Sequence, residues 1–405
     1  MNQDTSMNYS RGFQFNPQEK LYETHNCKSS LKIGIPKETE HEENRIAIVP
    51  QAAGLLVQNG HEVLLEKNAG EKAHFPDNKY SELGAQILYN REDVFKADVI
   101  LKVAPMTNEE IKLIKPGQII FSAMQFSIQH EEYFRTLMQK KVTAIGYENI
   151  MDKSGSYPLV RAISEIVGNT TILLASKYLS NLEFGKGLMF GGTTGITPTE
   201  VVIIGAGTVG EFAAKAAIGL GAYVKVFDNS VYKLRRLGYN LHEHIFTSII
   251  QPKVLSKALS TADVVIGALY SYEGMTPVII TEEMVSRMKY GSVIIDVSID
   301  QGGCIETSKM TTHANPVFSV YGVTHYCVPN ISSLVPHTAS YAISNFIAPI
   351  IISLAEKNGI DNLMREDYGI RRGAYIYKGI LCNKTVGNYY NISYQDIDLL
   401  MAAFH

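Results

Sequence analysis

Six residues in the middle of the chain form a glycine-rich turn that could hold a phosphate group. Gly205, Ala206, Gly207, Thr208, Val209 and Gly210 follow the apolar run VVII and lead into a predicted helix over 209–219. In this pattern the first glycine permits a tight turn, the second allows a pyrophosphate to approach the backbone, and the third lets helix and strand pack closely. The N–H groups that open the helix would bind phosphate oxygens. The turn predicts a dinucleotide site; the alternative is a turn that only packs.

An acidic residue stands where the next predicted strand ends. Asp228 follows the apolar run 223–227 and lies 23 residues after Gly205. A carboxylate there accepts hydrogen bonds from ribose hydroxyls and repels a 2′-phosphate, which favours NAD over NADP. Lys233 and Arg235 lie just beyond Asp228. They either receive a 2′-phosphate or form a solvated helix face.

A second carboxylate follows another apolar run. Asp300 comes just after the predicted strand 292–298 and is followed closely by Gly302 and Gly303. Open α/β sheets bind ligands at the carboxyl ends of their strands, and two glycines allow a ligand to approach the backbone. Asp300 could steer a protonated amine or take a proton from water. The alternative is an aspartate that caps its own turn.

A cation near the amino terminus begins an apolar run. Arg45 precedes IAIV and is expected to point into the protein, where a guanidinium suits bidentate capture of a small carboxylate. The alternative is an internal salt bridge with Glu38 or Glu42, and the two roles are compatible.

The elements that must position these residues alternate between strands and helices. Apolar runs of strand length are separated by helical stretches, which predicts βαβ units and parallel sheets. The predicted strands lie at 32–36, 62–66, 98–103, 118–122, 142–148, 201–204, 223–227, 263–269 and 292–298. Long helices are predicted at 160–182 and 338–354.

The pattern predicts an α/β protein with two doubly wound, Rossmann-like domains, one inserted into the other. We expect an exposed arm over 1–30, a discontinuous substrate domain over 31–159 and 337–405, and a dinucleotide-binding domain over 160–336. The interface of the two domains would form the ligand cleft.

Composition excludes several classes of protein. Among 405 residues, 37 Lys and Arg oppose 40 Asp and Glu, so the net charge of −3 argues against a strongly basic nucleic-acid surface. The cysteines contain no CxxC pair, which indicates neither a metal site nor a disulfide framework. No uninterrupted apolar stretch reaches ~18 residues, the length of a membrane span, and the first thirty residues lack a signal sequence. A cytoplasmic protein without a membrane partner is expected.

The motifs together resemble the alanine dehydrogenase and nicotinamide nucleotide transhydrogenase amino-terminal family, and alanine dehydrogenases most of all. The resemblance covers the chain from about Leu31 to the C-terminal region. The segments that carry it are GIPKE with ExR (34–45), LKVAP (101–105), SEIVG (164–168), VVIIGAGTVG (201–210) and IDQGGC (299–304).

The resemblance implies roles for individual residues and a cofactor, NAD. Arg45 would clamp the substrate carboxylate, and Asp300 would act near the substrate amino group and the nicotinamide. Residues 205–210 and Asp228 would hold NAD. The cofactor cleft would be lined by Ser164, Leu269, Tyr270 and Ile299. A homo-oligomer, in particular a hexamer, is also implied.

The chain departs from the family at two positions. The family has a lysine that touches the substrate where this chain has Ala104; Lys102, two residues earlier on the same strand face, either substitutes for it or is structural. A lysine whose pKa is lowered by burial could work near neutral pH. Gln125 occupies the place of the family's catalytic histidine; it orients groups by hydrogen bonds but cannot shuttle protons. His130 lies five residues later.

The resemblance therefore implies an NAD-dependent dehydrogenase that interconverts L-alanine with pyruvate and ammonium. Asp300, Lys102 and Gln125 are the candidate catalytic residues. Two alternatives stay open: a soluble transhydrogenase-like subunit that exchanges hydride with a partner-bound cofactor, and a non-catalytic NAD-binding sensor, which Ala104 and Gln125 suggest.

Overall fold

A computed structural model describes residues 30–40, 42–271 and 275–403. The arm predicted over 1–30 therefore lies almost wholly outside the described residues. Fifteen strands are found within those ranges: β1 (Lys32–Ile35), β2 (Glu62–Glu66), β3 (Gln86–Leu88), β4 (Val99–Leu101), β5 (Ile119–Ser122), β6 (Thr143–Gly146), β7 (Glu200–Ile204), β8 (Tyr223–Phe227), β9 (Phe246–Ser248), β10 (Val264–Gly267), β11 (Val293–Asp296), β12 (Val317–Val320), β13 (Val323–Tyr326), β14 (Ala374–Tyr377) and β15 (Ile380–Leu381).

The same part of the chain forms α-helices of very different lengths. They are α1 (Pro50–Gln58), α2 (Asp77–Ser81), α3 (Arg91–Val94), α4 (Asn108–Leu113), α5 (Glu131–Gln139), α6 (Pro158–Leu179), α7 (Thr208–Gly219), α8 (Val231–Leu241), α9 (Pro252–Thr261), α10 (Glu282–Ser286), α11 (Pro336–Glu356), α12 (Ile360–Glu366), α13 (Tyr368–Arg372), α14 (Lys384–Tyr390) and α15 (Ile397–Ala403).

The first sheet joins strands from both ends of the described chain. Its order is β15-β14-β6-β5-β4-β1-β2-β3; β14 pairs antiparallel with both β15 and β6, and the pairs from β6 to β3 are parallel. The order in which the chain adds strands reverses between β1 and β4, although the two strands are parallel. A doubly wound sheet has its ligand crevice at such a point.

The second sheet comes from the middle of the chain. Its order is β12-β13-β11-β10-β7-β8-β9, and every pair except β12–β13 is parallel. Here the reversal lies between β7 and β10, so the glycine-rich turn after β7 stands at the crevice. The predicted fold class, two doubly wound units with one inserted into the other, is confirmed.

Burial explains why these strands read as nearly continuous apolar runs. All residues of β4, β6, β10 and β11 are buried, as expected for parallel strands covered on both faces. Separate apolar clusters lie on the two faces of each sheet. The strand predicted over 292–298 ends early at Asp296, because its carboxylate accepts a hydrogen bond from Ser298 N (3.1 Å) and begins a 3₁₀ turn over Val297–Gln301.

The two longest helices contribute to the cores of the sheets: α6 to both, and α11 to the first. Both α6 and α11 are long and apolar enough to cross a membrane by length and composition, which the count of uninterrupted apolar runs did not predict. They pack against each other, and α6 also lies along α7. Buried residues of α11, including Ile343, Ile347 and Ile351, belong to the core of the first sheet. Their apolar character is therefore weak evidence for a membrane.

Candidate functional site

The glycine-rich turn has the shape that a diphosphate requires. Gly205 has a φ of 111°, and a Cβ there would overlap the carbonyl oxygen of Ala268. A Cβ on Gly210 would overlap the carbonyl oxygen of Gly205, so the helix can approach the strand this closely only without a side chain. A Cβ on Gly207, in contrast, would meet nothing within 4 Å. The space above Gly207 is open, and α7 begins there without a side-chain cap.

The turn is supported by the neighbouring strand and by α6. Asp228 is buried (5% exposed), and its carboxylate accepts hydrogen bonds from Ala206 N (2.8 Å) and Ser230 N (2.7 Å). Gly168 of α6 packs so closely on Val209 that a Cβ would lie 2.6 Å from the Val209 carbonyl oxygen. The arrangement fits a dinucleotide: open backbone N–H groups for the phosphates and a carboxylate at the end of the next strand.

The other residues expected around a cofactor are distributed along the same edge. Ser164 is half-buried on α6, one turn before Gly168. Leu269 follows β10, and its backbone N and O both bond the Ser298 hydroxyl, at 2.9 and 3.0 Å. Ile299 is buried, whereas Tyr270 is 65% exposed. Lys233 and Arg235 are exposed on α8.

Arg45 makes an ion pair, with a partner other than the two expected. Its Nε and Nη2 donate to both carboxylate oxygens of Glu43, at 2.7 and 2.6 Å, rather than to Glu38 or Glu42. Its Nη1 donates to Ser332 Oγ (2.8 Å), on the segment after β13. These three bonds leave one N–H on each terminal nitrogen without a partner among the described residues. The internal salt bridge is therefore present, and the carboxylate site at the remaining N–H groups stays a prediction.

Asp300 lies where the two sheets meet. It is the fourth residue of the 3₁₀ turn after β11, and its Oδ1 accepts a hydrogen bond from Asn330 N (3.2 Å). Asp300 is exposed at this edge, yet partial loss of water around its carboxyl raises its pKa from 3.8 to about 6; the Asn330 bond and the Arg45 charge oppose that rise. Asp300 is therefore mostly ionised at pH 7 and close enough to neutrality to accept and return a proton.

Asn330 joins these two functional groups, and the sequence analysis missed it. Its backbone is left-handed (φ 56°, ψ 47°), its N–H bonds Asp300, and its Nδ2 donates to Glu43 Oε2 at 3.0 Å. Glu43, which orients Arg45, was missed as well. Asn330 could have been found as a polar residue shortly after a parallel strand. Glu43 could have been found as an acid two residues before Arg45.

Lys102 is buried away from solvent, with only 1% of it exposed. Its Nζ contacts both Glu110 oxygens at 2.8 and 2.9 Å and Glu38 Oε2 at 3.2 Å. Burial acts to lower the pKa of Lys102, but the two carboxylates outweigh it and the pKa is raised. The expectation of a lowered pKa was therefore wrong. Glu38 also accepts a hydrogen bond from Val103 N (2.7 Å), so this cluster fixes the end of β4.

Gln125 lies beyond the end of β5. Its backbone is left-handed (φ 42°, ψ 52°), and its N–H donates to Glu148 Oε1 at 3.2 Å. The side chain is exposed and makes no hydrogen bond within the described ranges. Ala104, in contrast, is buried beside β4 and brings no polar group. His130 precedes α5, five residues along the chain.

Comparison with known proteins identifies family domains that match this chain. The family domain described as "Alanine dehydrogenase/PNT, N-terminal domain" matches residues 34–167, and "Alanine dehydrogenase/PNT, C-terminal domain" matches residues 171–384.

Individual proteins match over nearly their whole length. An alanine dehydrogenase of Methanococcus maripaludis is 37% identical over 366 residues, which cover 90% of this chain and 98% of the relative. Alanine dehydrogenase 2 of Staphylococcus aureus is 35% identical over 91% of this chain and 99% of its own length.

Solved structures give the same result. An L-alanine dehydrogenase superposes with a TM-score of 0.84 at 33% identity and covers 89% of this chain and 100% of its own. A transhydrogenase from Sinorhizobium meliloti superposes with a TM-score of 0.73 at 22% identity, over 87% of this chain and 99% of its own, which shows a shared fold.

Proposed function

The chain belongs to the alanine dehydrogenase/PNT family, and we propose that it catalyses the reversible, NAD-dependent oxidative deamination of L-alanine to pyruvate and ammonium. The observation that carries this proposal is the linkage of Arg45 and Asp300 through Glu43 and Asn330. A cation for a carboxylate and a proton acceptor thus occupy one site. That combination suits a small amino acid.

The glycine-rich turn would hold the cofactor. Within the turn 205–210, the N–H groups of Gly205 and Ala206 already bond Phe227 O and Asp228, so the N–H groups at 207–210 would bind the diphosphate. Asp228 would bind the adenine ribose, while Ser164, Leu269, Tyr270 and Ile299 would line the nicotinamide end. When bound, NAD accepts the hydride that leaves the substrate α-carbon. The buried Asp228 carboxylate disfavours a 2′-phosphate, and Lys233 and Arg235 are exposed enough to be a solvated face. We therefore propose NAD rather than NADP.

Arg45 would bind the substrate carboxylate through its two remaining N–H groups. The Glu43 carboxylate holds the guanidinium plane by its Nε and Nη2 groups, so the remaining N–H groups are oriented before substrate arrives. Such preorganisation reduces the entropy lost when substrate binds.

Asp300 would act as the general base for the substrate amino group. In the oxidative direction its carboxylate takes a proton from the substrate ammonium, so that the nitrogen lone pair can assist departure of the hydride. Asp300 would pass that proton to solvent, and the regenerated carboxylate would then stabilise the iminium cation and take a proton from the attacking water. Because its pKa is about 6, the active carboxylate form prevails above that pH.

The remaining two candidates would act differently from one another. Lys102, enclosed by Glu38 and Glu110, would fix the floor of the site as a permanent cation and would exchange no proton. Gln125 would offer its side-chain amide to a substrate oxygen. The chain would thus work without a lysine and a histidine at the two departing positions, with Asp300 as the main acid and base.

We also propose a cytoplasmic homo-oligomer, in particular a hexamer, whose domains divide near residues 159/160 and 336/337. A non-catalytic NAD-binding sensor is the second candidate, because Ala104 and Gln125 offer no titrating group. A transhydrogenase-like subunit is disfavoured, since Arg45 and Asp300 form an amino-acid site that this role does not need.

The experiment is a pair of measurements on the full chain. NADH formation with L-alanine is followed at alkaline pH, and NADH binding is measured by fluorescence. Turnover with L-alanine supports the proposal. Binding of NADH without turnover of any amino acid would identify the sensor instead, and turnover with a different amino acid would change the substrate.

A further inference from the structure

The backbone of Gln125 adopts a conformation that needs support. A left-handed backbone costs a residue with a side chain roughly 1–2 kcal/mol, so surrounding contacts must maintain it. The residue ends the segment after β5, at the carboxyl edge where the proposed substrate would lie.

Glu148 supplies that support. It follows β6 in a 3₁₀ turn over Tyr147–Asn149, and its Oε1 accepts hydrogen bonds from Met124 N (2.8 Å) and Gln125 N (3.2 Å). One carboxylate oxygen therefore fixes two successive peptide groups at the point where the chain turns.

Tyr375 in turn holds Glu148. This tyrosine belongs to β14, is 2% exposed, and donates its hydroxyl to the same Glu148 Oε1 at 3.1 Å. The fit is tight, because a Cβ on Gly146 would overlap the Tyr375 ring and lie 3.0 Å from Glu148 Oε2. A strand from the C-terminal segment thus reaches the turn that carries Gln125.

The second carboxylate oxygen shows that this placement is costly. Glu148 Oε2 is buried and has no hydrogen-bond partner among the described residues. Burial raises the pKa of Glu148, and the bonds from the backbone and Tyr375 offset the rise only in part. A buried acceptor left unsatisfied costs about 1–3 kcal/mol. The structural effect of Glu148 is to fix the turn at Gln125 through its bonds to the two backbone N–H groups.

We propose that Glu148, braced by Tyr375, is a positioning residue that holds the Gln125 amide toward the substrate in the cleft. The Gln125 side chain is exposed and unbonded within the described ranges, so it is available to donate to a carboxylate or carbonyl oxygen of a 2-oxo acid. This inference rests on the proposed function and adds a residue that acts on substrate only through Gln125.

The test is a double-mutant cycle read by binding, so that it does not depend on turnover. Pyruvate is titrated into the full chain saturated with NADH, and its Kd is obtained from the change in NADH fluorescence. The variants are Gln125→Ala, Glu148→Ala and the double variant. We expect each single change to raise the Kd roughly tenfold, which is the loss of about one hydrogen bond. The double variant should be no weaker than Gln125→Ala, because both changes remove one interaction.

Two further variants separate positioning from damage to the fold. Glu148→Gln keeps a carbonyl acceptor and should restore most of the affinity. Tyr375→Phe should raise the Kd by a smaller factor, and only when Gln125 is present. This variant replaces Glu148→Ala in the test if Glu148→Ala does not fold. Tyr377→Phe is the matched control. Tyr377 lies on β14 with Tyr375, but its hydroxyl bonds Asp361 of α12 (2.9 Å), so its loss should leave the Kd unchanged.

If the rises in Kd caused by Gln125→Ala and Glu148→Ala multiply in the double variant, the inference is wrong. It is also wrong if the wild-type chain binds no pyruvate. Pyruvate binding with the expected coupling but without turnover would refute the proposed activity and keep the positioning role.

Discussion

The two sheets contribute different kinds of groups to the proposed site. At the second sheet, backbone groups at 205–210 and the absence of side chains create the cradle. At the first sheet, charged side chains create it: Arg45 with Glu43, and Lys102 with Glu38 and Glu110. A site made of backbone depends on local shape, whereas a site made of buried charges depends on every partner being present.

The largest effect is expected where the two edges meet. Asp300→Asn removes the proton acceptor and keeps the shape, so kcat should fall by about 10²–10⁴-fold, the usual contribution of an acid or base. Steady-state rates with L-alanine measure the loss. NADH affinity, read by fluorescence, should change little because the cradle lies on backbone at 205–210. Near-normal kcat would exclude Asp300 from the chemistry.

The buried charges of the first sheet can be tested separately from catalysis. Lys102→Met leaves buried Glu38 without its cation and buried Glu110 with only Arg91 (3.4 Å), which should reduce the free energy of unfolding by about 3–5 kcal/mol. Urea unfolding followed by circular dichroism measures it. Lys112→Met is the matched control, because that exposed lysine pairs with exposed Glu109 and should matter by less than about 1 kcal/mol. A stable Lys102→Met with lost turnover would instead make Lys102 catalytic.

A smaller effect, confined to substrate, is expected at the guanidinium. Arg45→Lys keeps the charge opposite Glu43 but loses the planar fork, so the KM for pyruvate should rise roughly 10- to 100-fold. Arg135→Lys, in an exposed pair with Glu131, provides the control. An unchanged KM would show that Arg45 serves only its internal ion pair.

The smallest change tests the backbone cradle. Gly207→Val places a side chain in open space, so stability should be preserved while NADH affinity falls roughly tenfold or more, at 1.4 kcal/mol per tenfold. Gly219→Val, at the other end of α7, also meets nothing within 4 Å and should leave NADH binding intact. Titration of NADH into both variants measures the two affinities. Equal affinities would show that the phosphates do not bind next to Gly207.

The difference between the edges also explains what sequence could predict. The glycine turn was predictable because its strand, turn and helix are neighbours in the chain. Alternating apolar runs predicted the parallel sheets for the same reason. The long helices were placed within three residues of their observed ends, although short strands such as β14 and β15 were missed.

Several partners of the charged groups were not predictable, because folding selects them over long sequence distances. Arg45 bonds Ser332 across 287 positions, and Glu38 reaches Val103 across 65. Glu110 satisfies Lys102 while also capping α4 through Thr107, a double role that no single motif reveals. The choice of Glu43 over Glu38 or Glu42 likewise follows from the way the loop after β1 folds.

The most direct test of the account follows the substrate hydrogen. L-Alanine carrying deuterium on its α-carbon is incubated with NAD and the full chain, and the reduced cofactor is examined by mass spectrometry. The proposed reaction would yield NADH that is one mass unit heavier, formed together with pyruvate. Unlabelled NADH, or bound cofactor that is never reduced, would contradict it.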